Sequence, residues 1–346
     1  MTNYKSTNSL LASLAYLIII ITGLKAGSSL IVPLLMAFFW FLLFLPLVSK
    51  LRSWGVTDFF STMVVFGLTL IILIVMGSFI LNSGQDLVAN LPLYQEKFYQ
   101  LIPKVVNFFE NFGLSLDKNS VINLLNPSKI INYTTIFLKE MGSVMTNGFL
   151  TLLVVMFLFL ESSLFSKKIF YLSKTEESKE KIQLFVDNVN IYFLTKTATS
   201  IATGVLVFLM LLFFELDYAL LFGLLAFFLN YIPSIGSLIA SLPALFIALV
   251  QLTLLESSFI ALGYIVINNL IGNFIEPKIL GRGLGLSTLV VFLSMVFWGW
   301  VLGPIGMFLS VPLTVVIKIA CDNNPDWHWV SIMLSDFVEE KKIKGE

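Results

Sequence analysis

The sequence predicts an all-α polytopic integral membrane protein with about six full spans and two oppositely oriented re-entrant helical hairpins, which form an inverted repeat. Of its 346 residues, 58% are hydrophobic and only 12% are charged, whereas a soluble domain is about 25% charged. Several apolar runs reach the roughly 20 residues that cross a bilayer. Two further apolar stretches exceed that length and are broken at their centres by glycine and proline.

The composition also narrows the possible functions. The formal net charge is zero, so nothing favours binding to nucleic acid. A single cysteine and a single histidine leave no internal disulfide and no metal site built from several such residues. The sequence has no phosphate-binding loop, no nucleophile elbow and no histidine-containing triad. We therefore expect neither an enzyme nor an ATP-driven pump, and we expect no cofactor.

Full spans are predicted from hydropathy, and the charges between them predict their orientation. The predicted spans lie at about 9–24, 28–48, 61–82, 143–165, 198–214 and 258–275. Lys50, Arg52 and the lysines of 166–197 mark cytoplasmic loops, so both termini are expected in the cytoplasm. The chain then divides into three N-terminal spans in 1–82, an external helical segment in 83–140, the fourth span in 141–166, a cytoplasmic helical segment in 167–197, a domain with the inverted repeat in 198–320 and a cytoplasmic tail in 321–346.

The external segment begins with an apolar heptad pattern, which predicts a helix with one apolar seam. The pattern uses Leu87, Leu91, Tyr94, Phe98, Leu101, Val105 and Phe108. Pro92 and Pro103 argue against one straight helix. Two interpretations stay open: the seam packs on its own subunit or on the membrane surface, or it contacts another subunit.

Residues 218–250 and 288–320 are the two broken apolar stretches, and each follows a full span. Their breaks are Ile-Pro-Ser-Ile-Gly at 232–236 and Gly-Pro-Ile-Gly at 303–306. If each stretch is a hairpin, the basic residues of this region lie in the cytoplasm, as the positive-inside rule requires. These residues are Lys278, Arg282 and Lys318. A single kinked span per stretch would violate the rule, whereas a pair of short full spans would satisfy it and stays open.

Hairpins that enter from opposite sides bring two helix breaks toward the middle of the membrane, where alternating-access carriers hold their substrates. Residues 198–320 are therefore the predicted transport domain. Helix ends at a break leave free N–H and C=O groups, and glycine permits close approach of a ligand or another helix. The predicted substrate-binding residues at the breaks are Asn230, Pro233, Ser234, Gly236, Ser237, Trp298, Gly303, Pro304 and Gly306. Trp298 is alternatively an anchor at the membrane interface.

A polar stripe on the sixth predicted span adds three candidates. Asn269 and Asn273 are four residues apart and share a helical face, and Glu276 lies close to that face. Carboxamides in hydrocarbon are costly unless they are hydrogen-bonded. The stripe therefore either bonds neighbouring helices or holds a hydroxylated ligand or a cation. Glu276 is either a relay for protons or sodium ions or a surface partner of Lys278 or Arg282.

The fifth predicted span opens with a lysine among hydroxyl side chains, Thr195-Lys196-Thr197-Ala198-Thr199-Ser200. Hydroxyl groups within spans commonly bond their own helix backbone. Alternatively, they line a polar path. Lys196 itself is assigned to the charges of the cytoplasmic segment.

Two long motifs resemble the autoinducer-2 exporter family. One is NNLIGNFIEPKILGRGLGLSTLVVFLS at 268–294, continuing as FWGWVLGPIGMFLSVPLT at 297–314, and the other is NYIPSIG at 230–236. The resemblance implies a multi-pass protein of the bacterial inner membrane that exports autoinducer-2, a small hydroxylated furanone-type molecule. It also implies a homo-oligomer among membrane lipids, expected to be a pentamer, with two hairpins per subunit shaping the substrate site.

We therefore predict a gradient-driven or facilitative carrier that moves a small polar solute out of the cell by alternating access. Some members of the resembled family are described as sodium/proton antiporters, so cation/proton antiport is the alternative. An antiporter would use Glu276 and the asparagine stripe. Ion-coupled exchangers usually need a buried carboxylate at mid-span, and the sequence has none in the predicted spans of the repeat.

Overall fold

The predicted all-α class is confirmed by the structure. The computed structural model describes residues 15–16, 18–110, 132, 135–136, 151–161, 176–233, 235–280, 285–322 and 327–336. In these residues all regular secondary structure is helical, and the β-pairing consists of one isolated bridge between Leu286 and Ser335. In chain order the helices are α1 (Ser28–Ser53), α2 (Asp58–Ala89), α3 (Leu91–Glu110), α4 (Thr151–Glu161), α5 (Glu176–Phe213), α6 (Ala219–Leu229), α7 (Gly236–Gln251), α8 (Leu254–Asn268), a π-helix (Asn269–Ile275), α9 (Glu276–Leu280), α10 (Thr288–Leu302), α11 (Pro304–Phe308), α12 (Ser310–Asp322) and α13 (His328–Leu334).

Four helices of the described part are long and apolar enough to cross a membrane. They are α1, α2, the Val189–Phe213 part of α5, and the Leu254–Ile275 helix formed by α8 and the π-helix. Each matches one predicted span. The predicted spans 9–24 and 143–165 lie partly outside the described residues, which are helical at 18–26 and 151–161.

The start of the fifth span differs from the prediction. α5 runs unbroken from Glu176 to Phe213, because no proline interrupts it. The predicted boundary at 197 therefore falls inside one helix. The apolar part of α5 begins at Val189, so Lys196 lies within a candidate membrane span.

The chain divides into two compact units. The first unit contains residues 1–53, 150–189 and 282–346, and the second contains residues 54–149 and 190–281. The first broken stretch belongs to the second unit and the second broken stretch to the first unit. A meeting of the two helix breaks near mid-membrane stays a prediction.

The first broken stretch folds back on itself, as the hairpin prediction requires. At the end of α7, the Gln251 side chain accepts a hydrogen bond from Asp217 N (3.0 Å) and donates one to Glu215 O (3.1 Å). Both partners precede α6, so the stretch returns to the level where it began, which a single kinked span cannot do. α6 has 11 residues and is about 17 Å long. A hydrocarbon core is about 30 Å thick, which favours a re-entrant hairpin over a pair of short full spans.

The second broken stretch also doubles back. α10 ends at Leu302, and the following residue, Gly303, has a φ of 73°, in the region that glycine adopts without strain. Trp298 Nε1 on α10 donates to Thr314 Oγ1 on α12 (3.1 Å), so the two arms are joined directly. Near the end of α12, Lys318 Nζ donates to the carbonyl oxygen of Gly285, which precedes α10 (2.6 Å).

Both hairpins use the last glycine of the break to bring their arms together. A Cβ atom on Gly236 would overlap the carbonyl oxygen of Leu229, and a Cβ atom on Gly306 would overlap that of Trp298. The same contact therefore occurs in both halves of the predicted repeat. These two glycines permit arm-to-arm packing, and their membership of a substrate site stays a prediction.

The heptad seam of the external segment packs on its own chain where the structure describes it. Leu87, Tyr94 and Phe98 of the seam are buried, and the Phe98 ring lies 5.5 Å from that of Phe246 on α7. At the next position Ile102 is buried instead of the predicted Leu101. Tyr94 OH donates to a carboxylate oxygen of Asp217 (2.8 Å). Burial, together with the Asp217 carboxylate, raises the pKa of Tyr94, so the phenol stays a neutral donor. α3 thus supports the base of the first hairpin.

Replacing Gln251 with alanine is expected to loosen the base of the first hairpin. The substitution removes two hydrogen bonds to the segment before α6, each typically contributing about 0.5–1.5 kcal/mol. Thermal unfolding of the detergent-purified protein measures the loss. Gln100→Ala, at an exposed position of α3, is the matched control. Equal unfolding temperatures for the two variants would contradict this account of the hairpin base.

Candidate functional site

The most unusual polar feature of the second unit is a buried ion pair. Lys196 Nζ lies 2.7 Å from Glu276 Oε1 and 2.9 Å from Glu276 Oε2. The side chains are 7% and 15% exposed, respectively. Charges removed from water are tolerated only when their partners have good geometry, and the two short contacts meet that condition.

Helix packing brings these two residues together across the fold. A Cβ atom on Gly263 of α8 would meet the sulfur of Met210 on α5, so the two helices lie in close contact. Lys196 lies fourteen positions before Met210 and Glu276 thirteen positions after Gly263. The two helices are therefore antiparallel, and they stay side by side from the contact between Met210 and Gly263 to the ion pair. This arrangement places the lysine of one beside the glutamate of the other.

The ion pair corrects the expectation for Glu276. Its partner among the described residues is Lys196, and not Lys278, which is exposed. The other expected partner, Arg282, lies outside the described residues. The π-helix before Glu276 changes the direction of its side chain relative to a regular α-helix, because π-helical turns contain more residues.

The tip of the first hairpin docks on α5 beside the ion pair. Asn230 Nδ2 donates to Ser200 Oγ (3.1 Å), and Tyr231 OH donates to Thr197 Oγ1 (2.7 Å). Both acceptors lie within about one turn of Lys196. We call the following group the polar cluster: Lys196, Thr197, Ser200, Asn230, Tyr231 and Glu276. It brings together Asn230 and Glu276, two of the predicted site residues.

The hydroxyl groups at the start of the fifth span make two kinds of hydrogen bond, and their lining of a polar path stays a prediction. Thr199 Oγ1 donates to Lys196 O (3.1 Å) and Thr203 Oγ1 to Thr199 O (2.9 Å), so these two bond their own helix. Thr197 and Ser200 instead accept hydrogen bonds from the hairpin tip. Only the second pair contributes to the polar cluster.

The predicted asparagine stripe forms on the opposite side of the same helix. Asn273 Nδ2 donates to Asn269 Oδ1 (2.7 Å), and Asn269 Nδ2 donates to Ile265 O (2.8 Å). The two asparagines share a face, as predicted, and both are exposed. Glu276 points instead toward Lys196. These asparagines lie in the π-helix, an element often found at functional sites.

An open cavity of about 260 Å³ lies between α5 and the π-helix with α9, and most of its lining residues are exposed. Its lining is Ala198, Thr199, Ala202, Leu206, Leu270, Ile271, Ile275 and Ile279. Thr199 lies about one turn from Lys196, and Ile275 directly precedes Glu276. Small-molecule sites are commonly apolar cavities with a few polar groups. The cavity and the adjacent polar cluster together have that character.

The remaining predicted residues of the first break lie around the turn between α6 and α7. Pro233 is half-buried within the turn, and Gly236 and Ser237 begin α7. Ser234 lies outside the described residues. The structure gives these side chains no contact with the ion pair, so their role in binding stays a prediction.

The second break has a different character. Trp298 is buried with Val301 and Leu302, which makes it a packing residue and not an interface anchor. Gly303, Pro304 and Gly306 form the bend between α10 and α11. The structure gives none of these side chains a free polar group for a solute, and their assignment to a substrate site stays a prediction.

Two members of the polar cluster are not among the site residues that the sequence predicts. Tyr231 directly follows the predicted Asn230. The sequence predicts Lys196 as one of the cytoplasmic charges. The sequence does contain a signal for the ion pair. A lysine within an apolar helix requires a partner, and Glu276 is a carboxylate at the end of the antiparallel helix formed by α8 and the π-helix.

The fold and the site define the class: a multi-pass membrane protein with two broken hairpins and a polar site between its spans, as carriers have. The chain belongs to the AI-2E family of transporters, whose pattern it matches over residues 14–326. It is 34% identical to the AI-2 transport protein TqsA of Escherichia coli (strain K12), over 94% of this chain and 95% of that protein. It is also 34% identical to a Haemophilus influenzae protein named only as a transport protein, over 99% of this chain and all of that one. The transport protein YhhT of Escherichia coli (strain K12) is 30% identical over 99% of this chain and 98% of its own length.

Proposed function

We propose that this protein exports a small polar solute of the autoinducer-2 class across the bacterial inner membrane by gradient-driven or facilitative alternating access. The observation that carries the proposal is the polar cluster, which provides hydrogen-bonding groups between apolar spans. The similarity to a protein named for AI-2 transport supports the choice of solute. Transport in the outward direction is part of the proposal.

The strengths of the contacts suggest which part of the site moves. Two neutral hydrogen bonds hold the hairpin tip to α5, and each contributes about 0.5–1.5 kcal/mol. Breaking a buried ion pair costs about 3–5 kcal/mol. The tip can therefore separate from α5 while Lys196 and Glu276 stay paired. Thr197, Ser200 and Asn230 would then offer their polar groups to a solute.

The orientation and the assembly belong to the same proposal. The charge distribution supports cytoplasmic termini, and the family resemblance supports a homo-oligomer, with five copies as the expected number. Labelling of Cys321 by an impermeant thiol reagent in sealed vesicles tests the orientation. Chemical crosslinking in the membrane followed by gel analysis counts the subunits, and a purely monomeric protein would contradict the assembly.

Cation/proton antiport is retained as the second candidate because of one observation. The sequence shows no buried carboxylate at mid-span, which disfavours an exchanger, whereas the Glu276 side chain at the end of its span is only 15% exposed. Its pairing with Lys196 also changes how the two functions can be separated. Glu276→Gln would disrupt transport by either mechanism, because it weakens the ion pair as well as removing a titratable group.

Flux measurements in proteoliposomes separate the two functions. Wild-type protein is expected to move autoinducer-2 down its own gradient, with or without sodium and pH gradients. Proton or sodium movement in the absence of autoinducer-2, together with no autoinducer-2 flux, would replace the export proposal with antiport. Empty liposomes provide the background rate.

Asn273→Ala is expected to weaken export several-fold. Its carboxamide is exposed on the face of the π-helix away from the polar cluster, so the solute is expected to make a contact outside the cluster, and one such hydrogen bond is worth about 0.5–1.5 kcal/mol. The initial rate of autoinducer-2 flux at a concentration below half-saturation measures the effect. Ser258→Ala is the control, because that exposed hydroxyl bonds its own helix at Leu254 O. Equal rates for wild type and Asn273→Ala would remove the asparagine stripe from the path.

A further inference from the structure

α8 and the π-helix carry a buried stripe that faces the interior of the second unit. Its members are Ser257, Ile260, Tyr264, Ile267 and Ile271. Two of them are polar. Ser257 Oγ donates to Thr253 O (2.9 Å) and is satisfied. Tyr264 is 2% exposed, and its hydroxyl has no hydrogen-bond partner among the described residues.

Packing alone does not account for the Tyr264 hydroxyl. A buried polar atom without a partner costs free energy that an apolar atom of similar shape would not. Phenylalanine would fill nearly the same space, and the chain uses 33 phenylalanines but only 10 tyrosines. The hydroxyl of Tyr231, also buried, is paired with Thr197 at 2.7 Å. Tyr264 therefore carries a polar group that the described state does not use.

The cavity has one end near the ion pair, and Tyr264 lies beyond the other end. Ile271, which lines the cavity, is seven residues after Tyr264 on the same stripe, or about 10 Å along the helix. On α5, Met210 touches the residue that precedes Tyr264, and Leu206, one turn before Met210, lines the cavity. The polar cluster, the cavity and Tyr264 thus follow one another along the same two helices.

We propose that the Tyr264 hydroxyl is a hydrogen-bonding position for the transported solute along this line. The inference rests on the proposed transport function and adds a binding residue to it. The neighbours of Tyr264 on the stripe are Ile260 and Ile267, so the position suits a neutral solute with hydroxyl or carbonyl groups. A charged solute would lose its hydration there without gaining a counter-charge.

The test is Tyr264→Phe, measured by two independent readouts with autoinducer-2 as the probe. The unfolding temperature without solute is expected to equal or exceed that of wild type, because an unpaired hydroxyl is removed. The KM for autoinducer-2 flux in proteoliposomes is expected to rise about three- to tenfold, as for the loss of one hydrogen bond. Tyr231→Phe is the control for stability: it loses the bond to Thr197, so its unfolding temperature should fall.

Each outcome decides the proposal. A wild-type KM in Tyr264→Phe would overturn it while leaving the transport function intact. A fall in unfolding temperature as large as that of Tyr231→Phe would also overturn it, because the hydroxyl would then have a structural partner. No autoinducer-2 flux by the wild-type protein would refute the transport function itself, and the Tyr264 proposal with it.

Discussion

Removing Glu276 is expected to destabilise the protein by about 3–5 kcal/mol, because Glu276→Ala leaves the Lys196 ammonium buried without its counter-charge. Lys196→Met should be similarly harmful, since it leaves the carboxylate unpaired. The double variant Lys196→Met/Glu276→Leu should recover most of the loss, because apolar side chains of similar volume can replace a buried ion pair with little cost. Thermal and denaturant unfolding in detergent measure all three variants.

The exposed pair between His328 and Asp322 is the matched control. Its side chains are 37% and 53% exposed, and exposed pairs contribute about 0–1 kcal/mol. Asp322→Ala should therefore have little effect on unfolding. If Glu276→Ala is no more harmful than Asp322→Ala, the pair is hydrated in the membrane-embedded protein and the account of its burial fails.

Alanine at Gly236 or Gly306 is expected to prevent its hairpin from closing. In each case the new methyl group would overlap a backbone carbonyl oxygen of the opposing arm, and a backbone atom cannot move aside as a flexible side chain can. Overpacking typically costs about 1–3 kcal/mol and sometimes more, and valine should be worse than alanine. The yield of monodisperse protein and the unfolding temperature measure the loss.

Gly67→Ala is the control for the hairpin glycines. It also lies within a candidate membrane span, but a Cβ atom there would meet nothing within 4 Å. Alanine favours a helix over glycine by up to about 1 kcal/mol, so this variant should be as stable as wild type or more so. Comparable yields of Gly236→Ala, Gly306→Ala and Gly67→Ala would show that the arms do not approach as closely as described.

The spans and the helix breaks were predictable because their causes are local. Hydropathy identifies an apolar helix from its own residues, and proline and glycine interrupt a helix where they stand. The breaks near Pro233 and Gly303 therefore appear in the structure where the sequence predicted them. The glycine that ends each break is visible in the sequence, whereas the contact that requires it is not.

The polar cluster was only partly predictable because its contacts are distant in sequence. Lys196 and Glu276 are 80 residues apart, and their meeting depends on the register between α5 and α8. No local pattern marks Asn269–Ile275 as a π-helix, and that element turns Glu276 away from the asparagines. Asn230 was predicted from its place at a break, whereas its partner Ser200 required the docking of the hairpin tip.

The most direct test of the transport site is autoinducer-2 flux through the double variant Lys196→Met/Glu276→Leu in proteoliposomes. This variant is expected to fold, so a loss of flux reports on the polar cluster and not on stability. We predict that the folded double variant shows no flux above empty liposomes, while the wild-type protein beside it transports. Wild-type flux from the folded double variant would contradict the central claim, because the ion pair would then be structural only.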